Sequence, residues 1–210
     1  MDGTTSLTYS DLRERGERLA AGLAGIGVAK GDRVAVELPN WTEFLPTAVA
    51  LGRLGAVLVP IMPIYRTDEV GYVMCHSGAE VAITCEEFKG FRYADMFAAL
   101  RESLPELVSL VAVRAADAGR AVRFEDLTTT SVGNLGGLPS PDDPFLILYT
   151  SGTTSRPKGC FHTFNTVRAR AVSRRSASCR SPSSPPRTGP RRVAVSHWRW
   201  PPISGSPRPP

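Results

Sequence analysis

Five short apolar runs alternate with segments whose apolar residues recur at helical spacing, and this alternation constrains the fold of the 210-residue chain more than any other feature. The runs are Val34 to Leu38, "GAVLVP" over Gly55 to Pro60, "VAIT" from Val81, "LVSLVAV" from Leu107 and "FLILY" from Phe145. The first helical segment carries Leu12, Leu19, Leu23 and Ile26 at helical spacing, with Ser10 or Asp11 placed to cap it and Gly27 to stop it. Trp41 to Leu54 reads as a second helix, in which Pro46 is tolerable because it lies near the start. Thr67, followed by Asp68 and Glu69, opens a third that Gly78 closes, and Tyr93 to Ser103 forms a fourth. Helices set between short apolar strands imply an α/β fold with a largely parallel sheet flanked by helices. Such a sheet places its ligand sites at the carboxyl ends of its strands.

Charge divides the chain. Residues 1–164 hold 15 Lys and Arg against 20 Asp and Glu, whereas residues 165–210 hold 10 Arg and no acid, so a net charge of +5 conceals two opposite parts. The second part also holds 9 Pro and 9 Ser. Such a composition buries too little apolar surface to offset its ordering entropy, and residues 165–210 are expected to be disordered. The four cysteines, Cys75, Cys85, Cys160 and Cys179, form no CxxC pair and have no zinc-site spacing, which suits a reducing cytosol. The N-terminus is too polar for a signal peptide. The most apolar region, Ala48 to Tyr65, is interrupted by Arg53, Pro60 and Pro63, so no membrane span is expected.

The stretch "LYTSGTTSRPKG", Leu148 to Gly159, follows the last apolar run. Backbone N–H groups freed by Gly152, hydroxyls from Thr150, Ser151, Thr153 and Thr154, and the ammonium of Lys158 make a cradle suited to a polyphosphate. A Ser/Thr-rich surface loop is the plainer alternative. A Walker-type loop is excluded by order, because Lys158 precedes Gly159 instead of following a glycine.

"YTSGTTSRPKG" closely resembles the phosphate-binding signature of the adenylate-forming, or AMP-binding, enzyme superfamily, usually written [ST]SGTTGxPKG. "LTYSDL" at Leu7 to Leu12 resembles the first core motif of that superfamily, and "LGRLGAVLVPI" at Leu51 to Ile61 its second. "LPNWTEF" at Leu38 to Phe44 and "PIYRTDEVGYVMCHSGAEVAIT" at Pro63 to Thr84 are similar to the acyl-CoA synthetase and acid–CoA ligase branch. The resemblance covers about residues 5–164. It implies a partial N-terminal adenylation domain over residues 1–164, followed by a tail over 165–210. It also implies a two-step reaction, in which a carboxylate attacks the α-phosphorus of ATP to give an acyl-adenylate and pyrophosphate, and a thiol, usually coenzyme A, then displaces AMP. On that pattern Thr150, Ser151, Gly152, Thr153, Thr154 and Lys158 bind the β- and γ-phosphates of ATP. Magnesium accompanies the nucleotide, and a small carboxylic acid is the other partner.

Two positions depart from the pattern. Ser155 stands where the family usually has glycine; if that position needs positive φ, its Cβ costs about 1 to 2 kcal/mol. Phe164 stands where related CoA ligases often have histidine, leaving His162 as the nearby imidazole, which reads as structural ahead of ligand-facing. His76 and Trp41 read as helix residues with ordinary packing roles, and His197 lies in the tail without context. The family's later motifs for adenine, ribose and the second half-reaction do not occur in these residues, so the chain by itself is expected to be inactive. For the tail, out-of-register reading of GC-rich codons, a truncated paralogue and selection for charge all remain open. Read two bases forward, the His197–Trp198 junction must encode Leu and the Trp200–Pro201 junction Ala. Beside the ligase reading stand a non-catalytic nucleotide-binding remnant and a binder of nucleic acid or anionic surfaces through the arginines. The last is disfavoured, since the tail offers only Trp198 and Trp200 to stack.

Overall fold

The computed structural model describes residues 7–150 and 156–169. The chain divides into a unit over Met1–Asn165 and another over Thr166–Pro210, and the description below concerns the first. Residues 164–169 are helical, so the disorder expected over residues 165–210 does not hold for its first five residues; the rest of the Arg-rich tail, Ser155 and His197 lie outside the described residues.

Helix α1 (Tyr9–Gly25) begins at a capping box. The Thr8 hydroxyl accepts from the Asp11 N–H at 3.1 Å, and the Asp11 carboxylate accepts from the Thr8 N–H at 3.0 Å. The cap is therefore Thr8 and not Ser10 or Asp11; Asp11 is its reciprocal partner three residues on, and these bonds hold its carboxyl below the usual range. Strand β1 (Arg33–Glu37) follows, then α2 (Phe44–Leu54) and β2 (Val57–Pro60). Helix α2 starts three residues later than the apolar pattern suggests, because the Trp41 ring is drawn out beneath the Arg114 guanidinium, 4.0 Å from the ring centre. Pro46 falls in the first turn, where an N–H has no intrahelical partner to lose.

Helix α3 (Thr67–Ser77) ends at Gly78, which takes the left-handed conformation at φ 61°. After β3 (Val81–Cys85) comes a hairpin of β4 (Glu87–Phe88) and β5 (Phe91–Arg92), whose turn residues Lys89 and Gly90 both have positive φ. Helix α4 (Tyr93–Leu100) tightens into a 3₁₀ turn over Arg101–Ser103. Strand β6 (Ser109–Val113), the short β7 (Val122–Arg123) and α5 (Phe124–Thr128) precede β8 (Pro144–Thr150) and β9 (Lys158–Thr163). Too few residues make up the hairpin, β7 or α5 for a periodic pattern to emerge from the sequence.

Seven strands form one sheet in the order β7-β6-β3-β1-β2-β8-β9, parallel throughout except for the antiparallel β8–β9 pair. The α/β class and the largely parallel sheet are as the sequence pattern implies. Val34–Glu37, Val81–Cys85 and Leu110–Val113 are buried residue after residue, so both faces of the sheet centre are covered, which is why these strands read as continuous apolar runs. Among the described residues, no helix is long and apolar enough to cross a membrane. From β1 the chain passes to β2 on one side and then returns past β1 to β3 on the other. The topological switch point of the sheet thus lies between β1 and β3, whose carboxyl ends are Glu37 and Cys85.

Candidate functional site

The chain between β8 and β9 emerges at the carboxyl edge of the sheet, since β8 runs parallel to β2. Thr150 is the last residue of β8 and Lys158 the first of β9, and the two are register partners. The Thr150 hydroxyl donates to the Lys158 carbonyl at 3.5 Å. Lys158 is exposed and has no ion-pair partner among the described residues. Ser151, Gly152, Thr153 and Thr154, the rest of the sequence-derived cradle, lie outside the described residues. The end of the motif is strand where the sequence reading has loop; Gly159, a weak strand former, hides this in the pattern. Gly159 lies at a close approach: a Cβ there would sit 3.1 Å from the Ile147 side chain and 3.3 Å from the Tyr149 ring across the β8–β9 pair, so those side chains would have to give by a few tenths of an ångström.

Both stems of the loop are fastened to α3. Tyr149, one residue before the end of β8, brings its hydroxyl to 2.8 Å from His76 Nδ1. The Tyr72 hydroxyl donates to the Pro157 carbonyl at 2.9 Å, immediately before β9. Tyr72 stacks on His76 with ring centres 5.4 Å apart, meets Tyr149 edge-on at 6.4 Å, and carries the Arg156 guanidinium 5.3 Å from its ring centre. Burial, with Tyr72 as a smaller contributor, pushes the Tyr149 phenol well above its usual range, so it remains a neutral hydrogen-bonding group at ordinary pH. His76 is therefore a helix residue, as read from sequence, but it bridges to the loop stem as well as packing. The spacing of Tyr72 and His76, four apart on a helix face, is the signal that marks the pair.

His162 is buried on β9 and paired in register with Leu146, which agrees with a structural role. Phe164 stacks on Phe145 with ring centres 4.5 Å apart, an apolar contact that a histidine would not make equally well. Trp41 lies outside α2, packed between Arg114 and the edge of Phe88. Arg114, held at φ 57°, also grips Glu43 through Nε to Oε1 at 2.7 Å and a terminal nitrogen to Oε2 at 3.0 Å. These contacts fix the loops after β1 and β6.

At the switch point between β1 and β3, the Glu37 side chain has no exposed surface, and neither carboxylate oxygen has a hydrogen-bond partner among the described residues. Burial raises its pKa to about 8, against the opposing attraction of Arg66. Beside it, burial pushes the Cys85 thiol up to about 12, leaving a protonated and unreactive sulfur. Among the described residues, no group of three or more His, Cys, Asp or Glu side chains is placed to hold a metal ion.

The AMP-binding enzyme family model matches residues 1–189. The chain is 39% identical over 158 residues to triostin synthetase I of Streptomyces triostinicus, covering 72% of this chain and 27% of that protein. It is 31% identical over 166 residues to the medium-chain fatty-acid–CoA ligase of Escherichia coli K12, covering 78% and 29%. Among solved structures, the N-terminal domain of FACL13 from Mycobacterium tuberculosis superposes with a TM-score of 0.71 at 30% identity, covering 83% of this chain and 42% of that one. Acetoacetyl-CoA synthetase from Streptomyces lividans gives 0.71 at 25% identity, covering 80% and 27%. The chain spans less than a third of the length of these two curated relatives.

Proposed function

The chain belongs to the AMP-binding enzyme family, and from this premise we propose that residues 1–164 are the N-terminal portion of an ATP-dependent acid–CoA ligase, with residues 165–210 a separate tail. The observation that carries the reading is the placement of the "TSGTTSRPKG" stretch: its described ends close a strand pair at the carboxyl edge of the sheet, and Lys158 stands there exposed. The reaction is attack of a carboxylate on the α-phosphorus of ATP, release of pyrophosphate, and transfer of the acyl group from AMP to the coenzyme A thiol. Charge gathers on the departing pyrophosphate. Thr150, Ser151, Gly152, Thr153, Thr154 and Lys158 supply positioned donors and one fixed cation to the β- and γ-phosphates, a contribution of electrostatics and orientation without covalent catalysis. Magnesium belongs to the nucleotide and screens the same oxygens. No residue of this chain is assigned as general acid or base.

Calorimetric titration of MgATP into the 210-residue chain tests the assignment. Lys158→Ala is expected to weaken binding by about tenfold or more, the scale of a lost charged hydrogen bond. Ser155→Gly is expected to leave affinity unchanged or to improve it. Equal affinity for the parent chain and Lys158→Ala would remove the basis of the phosphate assignment.

A further inference from the structure

We propose that Tyr72 and His76 are positioning residues for the phosphate-binding loop, acting from a helix 73 and 85 residues earlier in the chain on its two stems. The inference rests on the phosphate-loop reading above and adds to it the part that sets the loop's span. Strand β8 ends at Thr150 and β9 begins at Lys158. A strand pair fixes the stems only through Thr150↔Lys158 and the pairs behind it, and its terminal pair is the one most prone to fray. Helix α3 supplies a second, independent attachment. His76 holds the outgoing stem through the Tyr149 hydroxyl, and Tyr72, one turn away on the same helix face, holds the returning stem through the Pro157 carbonyl.

The chemistry of the two bonds suits a fixed attachment. The Pro157 carbonyl accepts from a phenol on a helix, and the residue before it, Arg156, lies over the same phenol ring. The Tyr149 hydroxyl, kept neutral by burial, donates to Nδ1 of a neutral His76 and can accept from a protonated one. Stacking of Tyr72 on His76 locks the two rings together, so that both stems refer to one rigid body. A polyphosphate site depends on donors set to a few tenths of an ångström, and the ends of the segment carrying those donors are what Tyr72 and His76 hold.

The test compares Tyr72→Phe, His76→Ala, His76→Asn and Lys158→Ala in the full 210-residue chain. Affinities for MgATP and magnesium pyrophosphate are read by calorimetry, and amide exchange at Tyr149, Thr150, Lys158 and Gly159 is read without ligand. Tyr72→Phe and His76→Ala are expected to weaken both ligands about three- to tenfold, the size of one lost hydrogen bond. Amide exchange at the stems is expected to accelerate by a similar factor, while that in β1, β3 and β6 stays unchanged. His76→Asn, which offers a hydrogen-bonding group near the place of Nδ1, is expected to recover most of the affinity. Unchanged stem exchange overturns the proposal whether or not the chain binds nucleotide. Faster stem exchange with unchanged affinity, while Lys158→Ala loses binding, also overturns it and leaves the phosphate reading standing. Failure of the parent chain to bind either ligand overturns both.

Discussion

The side chain of Glu37 is the residue whose environment departs furthest from what its chemistry prefers. A carboxyl group with no exposed surface and no hydrogen-bond partner among the described residues is held neutral, with its pKa raised from 4.5 to about 8. Between those values the folded chain keeps a proton that the unfolded chain releases, so raising the pH favours unfolding; the stability is largest below about pH 4.5 as far as this group is concerned and is lost as pH rises to about 8. The loss is on the order of a few kcal/mol. Urea denaturation at a series of pH values from about 5 to about 8.5 should show that slope in the parent chain and a much flatter one in Glu37→Gln. An equal slope in both would mean that Glu37 ionises freely in the folded chain. Little of this was legible in the sequence, where Glu37 reads only as a polar residue within the apolar run Val34 to Leu38. Burial of a charged residue depends on which strands flank it, and Thr84 and Ile61 come from distant parts of the chain. The loop was more readable. Glycine, hydroxyls and one lysine at fixed spacing are a local pattern, whereas the partners of its stems, Tyr72 and His76, are brought there by the fold.

Among the elements, α1 is wedged between two neighbours at positions where it has no side chain. A Cβ on Gly22 would collide with the backbone of Leu127 in α5, including its Cα at 2.7 Å, and one on Gly16 would collide with the Val49 side chain of α2. The backbone of Leu127 cannot step aside as a side chain can. Gly22→Ala is therefore expected to destabilise by about 1 to 3 kcal/mol, a drop in melting temperature of roughly 3 to 10 °C for a domain of this size. Gly25→Ala, with nothing within 4 Å of its Cβ, should leave the melting temperature unchanged or slightly raised. If both variants melt alike, the α1–α5 contact is looser than drawn. The four long helices were visible because burial of one face imprints a period on eight or more residues, and the five principal strands because each is a run of apolar residues, as burial on both faces requires at the sheet centre. The hairpin β4–β5, β7 and α5 were not visible, since they are too short for a helical period and carry no apolar run, and β7 exists because β6 offers it an edge. The start of α2 moved for a tertiary reason, the Arg114–Trp41 stack, which no local propensity encodes.

Taken as a molecule, the described chain is a seven-stranded sheet flanked by helices, and in the reading proposed above it supplies only the phosphate-binding part of an adenylation site. The 210-residue polypeptide is accordingly expected to show no carboxylate-dependent exchange of labelled pyrophosphate into ATP across a panel of aliphatic and aromatic acids, even where it binds nucleotide; exchange above background would place the whole adenylation site in these residues. The order in which the sheet is assembled has a further bearing on biosynthesis. Strands β1, β2, β3, β6 and β7 and helices α1 to α5 are complete by Thr128, whereas β8 and β9 pair with each other over residues 144–163 and meet the older strands through the Leu58↔Leu146 bridge. On a ribosome adding about 5 to 20 residues per second, the last hairpin follows that platform by about 2 to 7 s. Tyr72 and His76 have then already taken their places on α3. The nascent hairpin docks onto a finished template, and its long-range contacts, from 73 to 85 residues apart in sequence, form against a surface instead of having to be found by a collapsing chain.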